Sequence, residues 1–136
     1  MPERTGPEFW AMGSYAVTAI LLAEDDESLR VFLGRALEKA GHQVRVCADG
    51  EEAADALLQG DWDLLLTDIV MPGMDGIELA RRCSALRPQT QIMFITGFAA
   101  VALAPNSGAP AGAKVLSKPV HLREIVAEVD RLLIAA

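Results

Sequence analysis

From Thr18 onward, short runs of consecutive apolar residues alternate with longer stretches in which apolar residues recur every three or four positions. Unbroken apolar runs suit strands buried on both faces, and the helical period suits the helices that cover them. The alternation therefore predicts a parallel sheet with helices on both sides. Ala19 to Ala23 is the first buried strand, and it ends abruptly in Glu24-Asp25-Asp26-Glu27. Leu29, Phe32, Leu33, Ala36, Leu37 and Ala40 follow at helical spacing as far as Gly41, a natural helix stop. His42 to Cys47 alternates as a strand, and Asp49 is placed to cap a short helix through Leu58. Asp63 to Ile69 is another buried strand, with Asp68 at its end. After the loop Val70-Met71-Pro72-Gly73-Met74-Asp75-Gly76, a helix runs to about Leu86 before Pro88, and Gln91 to Thr96 makes a fourth strand. Pro105, Gly108, Pro110 and Gly112 then confine any helix to a turn or two near Ala99 to Leu103. Lys114 to Ser117 supplies a fifth strand, and Ile125, Val129, Leu132 and Leu133 mark a final helix. The expected fold is α/β: a doubly wound, five-stranded parallel sheet with a shortened fourth helix, whose ligands bind at the carboxyl ends of the strands.

Residues 1–17 do not share this pattern. They carry Pro2, Gly6, Pro7 and Gly13 with no apolar period, and Gly6-Pro7-Glu8-Phe9 and Ala11-Met12-Gly13-Ser14 resemble cloning scars. We read them as an extension, vector-derived or an extended start, preceding a single domain at 18–136. A chain of 136 residues is the length of one domain, and 51% apolar with 23% charged residues is the composition of a globular protein. No apolar run approaches bilayer-spanning length. The net charge of −7 opposes binding to nucleic acid or anionic lipid. Cys47 and Cys83 alone make neither a disulfide framework nor a metal-ligand pattern, so a reducing cytoplasm is the expected compartment.

The strand endings carry the candidate chemistry. Glu24 with Asp25, then Asp68, Thr96 and Lys118, lie just past the ends of the first, third, fourth and fifth strands. Three carboxylates in one concave site require a cation, and hard oxygen ligands with water in the remaining positions suit Mg²⁺. Asp68 could then attack a phosphoryl group to form an aspartyl phosphate, with Lys118 pairing one phosphoryl oxygen and Thr96 donating its hydroxyl to another. A small Mg²⁺-dependent aspartyl phosphatase uses the same nucleophile. It generally needs a second aspartate two residues on, where this chain has Val70.

Leu21-Leu22-Ala23-Glu24-Asp25-Asp26, Thr67-Asp68-Ile69-Val70-Met71-Pro72-Gly73-Met74-Asp75-Gly76, Ile95-Thr96-Gly97 and Ser117-Lys118-Pro119 resemble the receiver domain of two-component response regulators, from about Thr18 to the end of the chain. The resemblance implies a flavodoxin-like receiver with Asp68 as phosphoacceptor. It also implies Glu24 and Asp25 as the acidic pair, the Val70 carbonyl as a further Mg²⁺ ligand, and a cis Lys118-Pro119 bond. Receivers of this family place an arginine or similar helix residue five positions after the second acid, and Arg30 stands five after Asp25. Asp26 is then left to start the helix, where a carboxylate favours the helix dipole.

Met93 to Leu103, the proline-containing segment after it and Lys114 to Pro119 resemble more narrowly the CpdR-like receivers of alphaproteobacteria. Val115 occupies the place of the usual aromatic switch residue, and proline curtails the fourth helix. That resemblance implies a stand-alone adaptor for the ClpX unfoldase of the ClpXP protease. It would be active when unphosphorylated and receive phosphate from a hybrid histidine kinase through a histidine phosphotransferase. The ending Leu132-Leu133-Ile134-Ala135-Ala136 resembles tails that ClpX itself engages. A phosphate shuttle or sink exchanging with the phosphotransferase is the alternative within the family. The adaptor's output is non-covalent binding, the shuttle's is phosphate passed onward, and neither reading makes the chain an enzyme.

Other residues have plainer readings. Met71, Met74 and Met93 are packing residues, both cysteines are buried small hydrophobes, and His42 and His121 are surface residues. Arg81, Arg82 and Arg87 form a solvated helix face. Phe98 is either an exposed partner contact or a filler of the space left by Val115.

Overall fold

The computed structural model of the chain describes residues 18–119 and 121–134. The extension reading of residues 1–17 and the terminal Ala135-Ala136 fall outside them. The elements run β1 (Ala19–Ala23), α1 (Glu27–Lys39), β2 (Gln43–Cys47), α2 (Gly50–Leu57), β3 (Leu64–Thr67), α3 (Gly76–Leu86), β4 (Gln91–Thr96), α4 (Ala99–Leu103), β5 (Lys114–Ser117) and α5 (Leu122–Ile134). All strand pairs are parallel, in the order β2-β1-β3-β4-β5. The chain thus winds outward from β1 in both directions, as the expected doubly wound fold requires.

Strand periodicity divides the interior into two layers. Leu21 and Ala23 of β1, Leu65 of β3 and Phe94 of β4 point to one face, where they pack with Ala53, Ala56 and Leu57 of α2, Leu79, Ala80 and Cys83 of α3, and Ala102 of α4. Ile20 and Leu22, Leu64 and Leu66, and Met93 and Ile95 point to the other, against Leu33 and Leu37 of α1 and Ile125 and Val129 of α5. The central strand β3 is buried at every position, which accounts for its unbroken leucine run.

Three helices start on aspartate caps. The carboxylates of Asp26, Asp49 and Asp75 accept from the N–H groups of Leu29, Glu52 and Glu78 at 2.9, 2.8 and 2.9 Å. The expected third strand is longer than β3, because the chain turns at Asp68. The final helix begins earlier than its apolar period, because the His121 carbonyl accepts from both Glu124 and Ile125 N–H.

His42 is not the surface residue expected from the sequence. Its side chain is only 8% exposed, and it ties α5 to the start of β1: Nε2 lies 2.8 Å from Asp130 Oδ1, while Nδ1 bonds the Thr18 hydroxyl. A lone histidine at a strand start carries no signal of a partner 88 positions away. Arg81 and Arg82 lie on a solvated face paired with Glu78. Arg87 instead reaches across to Asp61 and the Leu57 carbonyl. Phe98 is 55% exposed, so it does not fill the space beside Val115. Val115 packs into the layer that holds Ala102, with Ala109 and Ala113 beside it.

Candidate functional site

The ladder continues past the strand ends and sets the site residues level. Ala23 pairs with Thr67 and with Cys47, and Thr96 pairs with Ser117. The next backbone groups extend the same pairing: Asp68 N–H donates to the Ala23 carbonyl at 3.1 Å, Glu24 N–H to Cys47 at 3.1 Å, and Lys118 N–H to Thr96 at 2.7 Å. Glu24, Asp68 and Lys118 therefore emerge together at the carboxyl edge of the sheet.

Their side chains converge. Lys118 Nζ donates to Asp68 Oδ2 at 3.0 Å and to Glu24 Oε1 at 3.2 Å. The other carboxylate oxygens are held by backbone: Glu24 Oε2 accepts from Asp26 N–H at 3.0 Å, and Asp68 Oδ1 from Ile69 N–H at 2.7 Å. Glu24 is 2% exposed and Asp68 is 8% exposed, whereas Asp25 stands open at the rim. Burial holds the Glu24 carboxyl above its ordinary range, and the nearby Asp68 charge adds to this against the opposing pull of Lys118 and the Asp26 N–H. Burial also presses on the Lys118 ammonium, but its hydrogen bond to Asp68 and the charges of Glu24 and Asp68 prevail and keep it above the usual lysine value.

The acidic loop is shaped from α1. Arg30 Nη1 donates to the Glu24 carbonyl at 2.8 Å, and Asp26 is turned away to cap the helix. Of the four consecutive acids after Ala23, the two that precede the Asp26 cap face the site. Carboxylate oxygens of Glu24, Asp25 and Asp68 lie within 4.8 Å of one another. Two of these carboxylates are buried and one ammonium cannot neutralise three, so the donor set fits a hard divalent cation.

Thr96 closes β4 fully buried, and its hydroxyl accepts from Phe98 N–H at 2.9 Å. It lies at the same sheet edge but bonds none of the carboxylates among the described residues. Val70 sits two residues beyond Asp68 with its side chain exposed. The Lys118-Pro119 bond is cis.

Two residues near the site escape a reading of the sequence. Gly76 is packed so tightly on the Asp68 backbone that a Cβ would lie 1.8 Å from the Asp68 carbonyl oxygen. Its place before a helix reads as turn chemistry alone. Glu51 accepts from Met74 N–H at 2.9 Å, across 23 positions of sequence. In the sequence it is merely an acid in a first helical turn.

The response regulator receiver domain family matches residues 20–130, and the chain belongs to that family. The narrower resemblance also holds: the chain is 61% identical over 117 residues to "Response regulator receiver protein CpdR" of Brucella abortus (strain 2308), an alignment covering 86% of this chain and 98% of that protein. Among solved structures, a response regulator receiver protein from Sinorhizobium medicae WSM419 superposes with a TM-score of 0.80 at 30% identity, covering 89% of this chain and 98% of the other. The response regulator TrrA from Thermotoga maritima, in complex with Mg²⁺-BeF, superposes at 0.74 with 27% identity, covering 86% and 100%. These likenesses bear out the five-stranded parallel receiver fold and assign the chain to signal transduction by two-component systems. No helix among the described residues is long and apolar enough to cross a membrane.

Proposed function

We propose that Asp68 accepts a phosphoryl group from a phosphohistidine donor, and that its phosphorylation controls binding of a protein partner. The observation that carries this reading is a nearly buried aspartate at the carboxyl edge of a central strand with a lysine Nζ 3.0 Å from its Oδ2. Residues 18–136 are the working receiver in this reading, and 1–17 an extension.

The side chains of Glu24, Asp25 and Asp68, with the Val70 carbonyl, would hold Mg²⁺. When bound, Mg²⁺ neutralises the phosphoryl charge that would otherwise repel the acidic site. An Asp68 carboxylate oxygen attacks phosphorus, the bond from phosphorus to the histidine nitrogen breaks, and that nitrogen keeps the electron pair and takes up a proton. Lys118, already on Asp68, exchanges one carboxylate contact for a phosphoryl oxygen. Thr96 can accept from Phe98 N–H and still donate its own hydroxyl hydrogen to a second phosphoryl oxygen, because a hydroxyl does both at once. Glu24 and the backbone N–H of Ile69 keep Lys118 and Asp68 in place.

The likeness to CpdR supports a finer reading. The chain is an adaptor for the ClpX unfoldase of ClpXP, competent when unphosphorylated, with a hybrid histidine kinase and a histidine phosphotransferase supplying phosphate. It works in the cytoplasm as a binding switch rather than an enzyme. The segment from Phe98 to Pro110 and the final helix are the output surface in this reading; within it Phe98, just ahead of α4, and Val101 and Leu103 on α4 are each at least half exposed.

Labelling with a phosphorylated histidine phosphotransferase in the presence of Mg²⁺ tests the site. Asp68→Ala is expected to abolish the label, and persistent labelling would exclude Asp68. A ClpX pull-down with and without phosphorylation tests the adaptor role. Equal absence of binding in both states removes it.

A further inference from the structure

We propose that Glu51 is a positioning residue for this site, setting the shape of the loop after Asp68 and with it the place of the Val70 carbonyl. The inference rests on the reading of Asp68 and its neighbours as a Mg²⁺ and phosphoryl site. Three observations support it.

The first is the reach of the carboxylate. Glu51 Oε2 accepts from Met74 N–H at 2.9 Å, a charge-assisted bond from α2 to the middle of the 70–76 loop. The second is the fit around it. Gly73 has φ +75°, and a Cβ there would lie 2.5 Å and 2.7 Å from the two Glu51 oxygens. A Cβ on Gly50 would lie 2.3 Å from the Met74 carbonyl oxygen. Both glycines are needed for the carboxylate and the loop backbone to approach this closely.

The third is what the loop lacks elsewhere. It is closed at its far end by Gly76 N–H donating to the Ile69 carbonyl at 2.7 Å. Between these points Val70, Pro72, Gly73 and Asp75 are exposed, leaving Met71 as its buried anchor and Met74 half-buried. The helix that carries Glu51 is anchored at its start and along one face. Asp49 caps its helix at Glu52 N–H, Glu52 returns a bond to Ala48 N–H at 3.1 Å, and Ala53, Ala56 and Leu57 bury the helix face. A capped, packed helix therefore grips a loop with few contacts of its own, four residues beyond the residue whose carbonyl would complete the Mg²⁺ shell.

The test uses the full chain and Mg²⁺ alone, titrated calorimetrically, with amide exchange at Met74 measured in Mg²⁺-free buffer. Glu51→Ala is expected to speed exchange at Met74 through the loss of one hydrogen bond to a charged group, and to weaken Mg²⁺ binding about five-fold, since only part of that loss is passed on to the ion site. Glu51→Gln removes the charge but keeps an oxygen that accepts the Met74 N–H, so it should stay within about two-fold of wild type. A purely structural role for Glu51 would lower the unfolding midpoint without moving the Mg²⁺ affinity. Wild-type affinity in Glu51→Ala overturns the proposal, as does a loss in Glu51→Gln equal to that in Glu51→Ala, which would make the effect one of charge. If the wild-type chain binds no Mg²⁺, the site reading itself fails. If it binds and Glu51→Ala binds equally well, only the role of Glu51 fails.

Discussion

Replacing Lys118 by methionine keeps the volume of the side chain and removes its charge, leaving Glu24 and Asp68 facing each other without a counterion. The two contacts, at 3.0 and 3.2 Å, are each worth about 5 kcal/mol of gross attraction at an effective dielectric of about 20. The net loss is smaller. Both carboxylates were desolvated to make the pair, and the Lys118 side chain is 28% exposed, so water partly replaces it. Protonation sets a ceiling. Glu24 is already held above its ordinary 4.5 by burial, and without Lys118 it takes up a proton rather than remain charged beside Asp68. Each pH unit between 4.5 and the working pH costs about 1.4 kcal/mol, which limits the penalty to about 3.4 kcal/mol near pH 7. We expect Lys118→Met to lose about 2–3 kcal/mol there and about 1 kcal/mol near pH 5.5. The sign follows from linkage: a carboxyl whose folded pKa is raised keeps its contribution below its unfolded value and loses it as pH rises through the folded one. Urea unfolding of Mg²⁺-free protein across this range measures both numbers. Added Mg²⁺ should restore much of the loss, since it binds only the folded site. A Lys118→Met chain as stable as wild type, or a loss independent of pH, would refute the neutralising role.

Gly76→Ala is expected to cost about 3 kcal/mol or more in urea unfolding, because the added methyl meets the Asp68 carbonyl at 1.8 Å and neither backbone can retreat. Gly97→Ala is the control: nothing lies within 4 Å of the added carbon, and equal losses in the two variants would contradict the packing argument. Burial pushes the Cys47 and Cys83 thiols from 9.0 up to about 11, so near pH 8 native protein should alkylate with iodoacetamide far more slowly than urea-unfolded protein. The same shifts stabilise the fold fully below pH 9.0 and are lost as pH rises through about 11, withdrawing about 2–3 kcal/mol per thiol. Equal native and unfolded alkylation rates would show the thiols to be accessible.

What was legible in the chain was what local chemistry encodes. The leucine run of β3, the aspartates that start α1 and α2 and the prolines after α4 each act within a few residues, so the element order and the shortened helix could be read directly. Glu24, Asp68 and Lys118 could be placed together because a doubly wound sheet sends its strand ends to one edge. The bond from Glu51 to Met74 and the clamp of His42 on Asp130 were not legible. Each joins segments far apart in sequence through a side chain whose immediate neighbours look ordinary. Gly76 lay between the two cases: its presence was plain, but its pressure on the Asp68 backbone depends on the angle at which α3 leaves the sheet.

The brevity of α4 affects how the molecule opens. Its five residues bury only Ala102, its first residue has no side-chain cap, and its backbone closes with the short-range bonds of Val101 N–H to the Phe98 carbonyl and Ala104 N–H to the Val101 carbonyl. A helix this short is not stable by itself, and undoing it exposes little that is not already exposed. It therefore forms its own weakly cooperative unit, with an opening free energy well below that of the whole domain, while β4 beside it stays locked in the sheet. A partner that grips this turn can unwind or reshape it at small cost and leave the Asp68 edge of the sheet in place.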